Sequence, residues 1–145
     1  MAKKRKSSKT SRKKAGIVAR GKRKESTARA SICNGKGIVR INSININAIP
    51  NKYMRELIYE PINLAKEVAS KANIHVNVKG GGAMGQAQAA RLAIARALVK
   101  FSGDASLKEK MLKHDRFLVA EDSRRIEPKK YQGPKARARF QKSYR

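Results

Sequence analysis

Tryptophan is absent from this chain, and Cys33 is its only cysteine in 145 residues. One thiol cannot close an intramolecular disulfide, and it cannot supply a cysteine-based zinc site. Acid is scarce: ten Asp and Glu face thirty-six Lys and Arg, for a net charge of +26. Apolar runs are only a few residues long, far short of the ~20 that a membrane span needs. Met1-Ala2-Lys3-Lys4-Arg5-Lys6 has no apolar stretch behind it, so no secretory signal is expected. These absences point to a reducing, cytoplasmic setting. Lys3-Lys4-Arg5-Lys6 also admits a nuclear import signal, were the source eukaryotic.

Chemistry-bearing clusters are missing as well. His75 and His114 are the two histidines, and neither lies near a serine, cysteine or carboxylate pair in a catalytic pattern. Asp115, Glu121 and Asp122 match no cation-binding loop, and pairing with Arg116, Arg124 or Arg125 is the expected use of them. No enzyme activity, metal, cofactor or small-molecule substrate is expected.

What the chain does have is positive charge, unevenly spread. Residues 1–24 hold twelve Lys and Arg and no acid, and residues 123–145 hold nine against Glu127 alone. The middle, 25–122, has fifteen basic and nine acidic residues. The division is therefore a basic N-terminal arm (1–24), a body (25–122) large enough for one core, and a basic C-terminal tail (123–145). The arms lack an apolar periodicity and are expected to order only against a polyanion. Neither has an amphipathic face, so a membrane is a poorer partner than nucleic acid.

Within the body, Ala28, Ala30 and Ile32 alternate with Thr27, Arg29, Ser31 and Cys33, which predicts a half-buried strand whose Arg29 face meets solvent or RNA. Asn34-Gly35-Lys36-Gly37 predicts a turn, returning through residues 38–41 as the second strand of a hairpin. Pro50 is placed as a first helical residue, and Pro61 as the break between two helices. Ile74, Val76 and Val78 mark a third strand, with His75 on the opposite face. Ala87, Ala90, Ile94, Ala97, Leu98 and Phe101 form one apolar stripe, predicting the strongest helix. A short helix over 106–113 and a last strand over 117–119 follow. The fold class is α+β, a small sheet packed with helices.

Gly80-Gly81-Gly82-Ala83-Met84-Gly85-Gln86 joins the third strand to the long helix. Free N–H groups at a helix start beside glycines suit a phosphate. The motif lacks the Lys-Ser/Thr of a nucleotide-binding P-loop, so a tight turn, an RNA phosphate contact, or both are the better readings. In the tail, Tyr131, Phe140 and Tyr144 stand among the cations and can stack on bases or riboses. Pro128 and Pro134 favour extension, and residues 133–145 span at most about 40 Å.

Three separated stretches together resemble one family. Gly80-Gly81-Gly82-x-x-Gly85-Gln86-x-x-Ala89-x-x-x-Ala93-x-Ala95-Arg96-Ala97-Leu98 resembles the signature of the ninth ribosomal protein family of the small subunit. Gly21-Lys22-Arg23-Lys24-Glu25-Ser26-Thr27-Ala28-Arg29-Ala30 is similar to that family's lead into its first strand, and residues 136–145 to its archaeal and eukaryotic members. Bacterial members end in Lys-Arg, whereas this chain ends in Tyr144-Arg145, as an archaeal or eukaryotic member would.

The resemblance implies an α+β domain with a left-handed β-α-β crossover, seated on rRNA of the 3′ major domain in the subunit head beside neighbouring ribosomal proteins. It also implies a tail reaching peptidyl-site tRNA, with Lys142, Tyr144 and Arg145 at the backbone of the anticodon stem-loop. Residues expected to contact rRNA are Arg20, Lys22, Arg23, Lys24 and Arg29 at the N-terminal side. Around the glycine loop they are Lys79, Gly80, Gly81, Gly82, Gln86 and Arg91. In the tail they are Arg124, Arg125, Lys129, Lys130, Lys135, Arg137, Arg139 and Phe140. Two rivals stand beside this reading. Charge alone also allows a chromatin-type DNA-binding protein, although no helix-turn-helix or basic zipper is evident. A phosphate-handling enzyme would have to be built on the glycine loop.

Overall fold

Helix α3 (Ala83–Ser102) is the centre of the molecule, and its sequence explains why. Ala87, Ala89, Ala90, Ala93, Ala95 and Ala97 are all buried, together with Leu92, Ile94 and Leu98. Small side chains let the helix axis lie close to a sheet, while the larger ones fill the space between. Gly103, in the left-handed region at φ 71°, ends the helix by donating its N–H to the Val99 carbonyl. The computed structural model describes residues 16–141 and Ser143.

The sheet has five strands: β1 (Ile17–Arg23), β2 (Ser26–Asn34), β3 (Val39–Ile41), β4 (Ile44–Asn45) and β5 (Ala72–Lys79). Their order is β1-β2-β5-β3-β4. All neighbours are antiparallel except β3 and β5, which run parallel, as Val39 opposite Ile74 and Ile41 opposite Val76. Between these two strands lie β4 and the helices α1 (Lys52–Leu64) and α2 (Lys66–Ala69), so the connection is a β-α-β crossover. Helix α4 (Ala105–His114) packs on α3, and among the described residues no helix is long and apolar enough to cross a membrane. Ala28, Ala30 and Ile32 of β2 and Ile74, Val76 and Val78 of β5 turn the predicted face into the core.

Five expectations are corrected. Residues 17–23, assigned to an arm without structure of its own, form β1, fully paired with β2. Its inward positions are only Ala19 and Gly21, both buried, so the strand carries little apolar signal. A side chain at Gly21 would strike the Ala89 carbonyl and the Ala93 backbone, which is how near α3 lies to β1.

The β2–β3 hairpin does not form. β2 has β1 on one edge and β5 on the other, leaving no edge for β3. The Asn34–Gly37 turn instead carries the chain past β5. Asn73 Oδ1 accepts from the backbone N–H groups of Lys36 (2.9 Å) and Ile38 (3.1 Å) and so holds that path.

Neither proline acts as predicted. Asn51, not Pro50, caps α1 through the Met54 N–H at 3.3 Å. Pro61 sits inside a continuous α1, its fully buried ring compensating for the backbone bond that its missing N–H forfeits. Residues 116–118 are a 3-10 turn rather than a strand, started by Asp115 accepting from the Phe117 N–H at 2.8 Å.

Candidate nucleic-acid interface

The sheet has one face on the helices and the other open. On the open side the register aligns cations from separate strands into rows. Arg20 of β1 lies opposite Arg29 of β2, which lies opposite Asn77 of β5. Lys22, Thr27 and Lys79 form a second row, and Val18, Ser31, His75 and Arg40 a third. Adjacent strands are about 4.8 Å apart, so these charges form a two-dimensional array. Among the described residues, no strand position on this face is an acid, a Phe, a Tyr or a Trp, and the exposed His75 is its one aromatic ring. Such a surface attracts phosphate and offers a stacked base no more than one imidazole. Arg40, exposed on β3, is a member that the sequence reading passed over; its signal was its phase, opposite buried Val39.

At one end of the array is the glycine loop. Gly80 and Gly81 take φ 77° and 63°, a conformation that side chains oppose. Buried Ser26 donates to the Gly80 carbonyl at 3.0 Å, and a side chain at Gly81 would collide with its hydroxyl. Gln86 Nε2 donates to the same carbonyl at 3.1 Å, so this predicted contact residue braces the turn. Gly82 precedes α3 with no side-chain cap, and Lys79, Gly80, Gly81 and Gly82 are all exposed. Lys24, exposed at φ 52°, makes the tight turn between β1 and β2 beside this loop.

Other predicted contacts are occupied inside the protein. Arg91, whose side chain is 12% exposed, pairs with Glu60 at 2.6 Å and Asp115 at 2.8 Å. Burial pulls its pKa down, but the two carboxylates outweigh that and the net direction is upward. Arg23 donates to Gln88 Oε1 at 2.7 Å and pairs with Asp122. Arg124 also pairs with Asp122, at 2.7 Å, and stands 5.8 Å over the Phe117 ring. Bonds from Arg124, side chain first and then backbone N–H, bring the Asp122 pKa down to about 2, with Arg23 adding to the pull. The three acids at 115–122 thus pair mainly with arginines of β1 and α3: Asp115 with Arg91, Glu121 with Arg96 and Asp122 with Arg23. Of the partners expected from sequence, only Arg124 is used, while Arg125 reaches Glu25 at 3.8 Å.

The tail is not extended throughout. Glu127, the one acid in it, draws in Lys130 at 3.2 Å and Arg137 at 2.9 Å. Arg139 donates to the Tyr131 carbonyl at 3.0 Å, so residues 127–139 close into a loop despite Pro128 and Pro134. Lys129, Lys135, Tyr131 and Phe140 are exposed on it, Phe140 at 67%. Lys142, Tyr144 and Arg145, the expected tRNA contacts, lie outside the described residues.

Residues 21–145 match the model of a family described as ribosomal protein S9/S16. A protein of Methanothrix thermoacetophila named small ribosomal subunit protein uS9 is 45% identical over 125 residues, covering 86% of this chain and 95% of its own. Its namesake from Thermoplasma volcanium is also 45% identical, over 129 residues, covering 89% of this chain and 98% of its own. With family similarity running from β1 through the open sheet face and glycine loop to the last residue, this chain belongs to the ribosomal protein S9/S16 family.

Proposed function

We propose that the chain is a structural constituent of the small ribosomal subunit in the cytoplasm. In this reading it binds rRNA of the subunit head, in the 3′ major domain, beside neighbouring ribosomal proteins. Its last residues, Lys142, Tyr144 and Arg145, meet the backbone of the peptidyl-site tRNA anticodon stem-loop. The family is structural rather than enzymatic.

The observation that carries the RNA-binding part is the open sheet face. Arg20, Lys22, Arg29, Arg40 and Lys79 come together there from four strands, without an acid among the strand positions. Together with the exposed tail cations they neutralise phosphates and release counterions, so affinity falls steeply with salt. The exposed glycines extend the surface, because backbone there can approach a phosphate closely. At the tail tip, a charge-assisted bond to a phosphate is blind to base identity, which suits a site that every tRNA visits.

The test is co-sedimentation of the full chain with small subunits, together with competition between head-domain rRNA fragments and duplex DNA. Retention on the subunit and a preference for the rRNA fragments are expected. A preference for duplex DNA overturns the reading.

A further inference from the structure

The helix motif that carries the family resemblance includes Arg96, and phosphate binding gives it no role. Its position does. Arg96 Nε donates to the Val119 carbonyl at 2.8 Å. One of its terminal nitrogens donates to the Arg20 carbonyl at 2.9 Å and to the Glu121 carboxylate at 2.8 Å. One planar fork on α3 therefore joins edge strand β1 to the run of chain from which the tail leaves. Beside it, Arg23 holds Asp122, and Arg91 holds Asp115. Past Asp122, Arg124 turns back onto Asp122 itself at 2.7 Å and over Phe117, and Arg125 pairs with Glu25, long at 3.8 Å and exposed on both sides. Among the described residues, firm attachment to β1 and α3 thus ends with residues 119–122.

An arm of this length magnifies any rotation at its base. Residues 123–145, fully extended, reach at most roughly 80 Å. We propose that Arg96 is a positioning residue: it locks the root of the tail to β1 and α3, and so sets the origin and direction from which residues 123–145 depart. This rests on the reading of the tail as an arm that works away from the domain. The guanidinium suits the task because three acceptors on two separate segments need donors in a fixed fork, which a lysine ammonium does not supply.

Cys33, exposed on β2, is the sole thiol, so the full chain can carry one spin label there and a second at Ser123→Cys, exposed directly after the root. A single narrow distance peak is expected for the parent. Arg96→Ala is expected to at least double its width while helix and strand content stay unchanged, with Arg96→Lys in between. Glu121→Ala, which removes one tie without touching α3, is expected to broaden the peak more mildly; it carries the test if Arg96→Ala fails to fold. An unchanged width in these variants overturns the proposal.

Deletion of residues 141–145, read as tRNA retention on reconstituted subunits, tests the tRNA reading separately. Lost retention with an unchanged Arg96→Ala width discards the positioning role alone. Normal retention with a broadened peak discards the tRNA reading and leaves the positioning role standing.

Discussion

Arg23 at the end of β1 pairs with Asp122 at the root of the C-terminal tail, joining the two ends of the folded body. Both side chains are largely shielded, at 16% and 8% exposure. Arg124 shares the same carboxylate from outside. This one acid therefore organises a cation of the body and a cation of the tail.

Acid should loosen that junction at a defined point. A carboxylate whose pKa is lowered by folding stabilises the fold above its unfolded-chain value, and that contribution is lost as pH falls through its folded value. For Asp122 those limits are 3.8 and about 2. The junction should stay intact on acidification from neutrality to about pH 4 and weaken between there and about pH 2. The carboxyl-carbon NMR shift of Asp122 should titrate near the lower limit; a midpoint at the ordinary aspartate value would count against the pairing.

Gly21→Ala should destabilise the fold. The new methyl meets α3 backbone rather than a flexible side chain, so the strand or the helix must move. Overpacking of this kind costs about 1–3 kcal/mol, measurable as a lower denaturation midpoint. An unchanged midpoint would mean that β1 and α3 are less closely packed than described.

Substitutions on the open sheet face should act on RNA affinity alone. Arg29→Gln and Arg40→Gln should each lower the slope of log affinity against log salt by about 1, with little change in melting temperature. Arg91→Gln should do the reverse, because it leaves Glu60 and Asp115 without their shared cation. Measuring rRNA-fragment affinity at several salt concentrations, beside thermal melts, distinguishes the two behaviours.

Removing residues 141–145 should leave subunit assembly largely intact and weaken retention of peptidyl-site tRNA. Arg145→Lys should be milder, keeping the charge while losing the planar fork. Filter binding of tRNA to reconstituted subunits checks both, and normal retention after the deletion would remove the tip from the mechanism.

Much of the body was legible because its signals are local. Strand alternation at 27–33 and 74–78 and the apolar stripe on α3 depend only on neighbours in sequence. β1 was hidden because its inward face is Ala19 and Gly21, too small to register as an apolar period. The open sheet face was half legible: Arg29 was placed by its phase, but its alignment with Arg20 required the strand pairing. Arg91 and Arg23 looked like RNA contacts for the same reason that all arginines did, since a positive charge carries no mark of its partner.

Sequence by itself determined β2, β5 and the long helix α3, though not β1 or the turn at 116–118, together with the α+β class and the polyanionic character of the partner, since periodicity and charge balance are read within short windows or over the whole chain. Tertiary structure decided which strands adjoin, placing β3 beside β5 once both edges of β2 were taken. It also decided which cations remain available. An arginine meets phosphate only where folding has not already brought an acid to it, and here those acids arrive from distant parts of the chain: Asp122 for Arg23, Glu60 for Arg91 and Glu121 for Arg96.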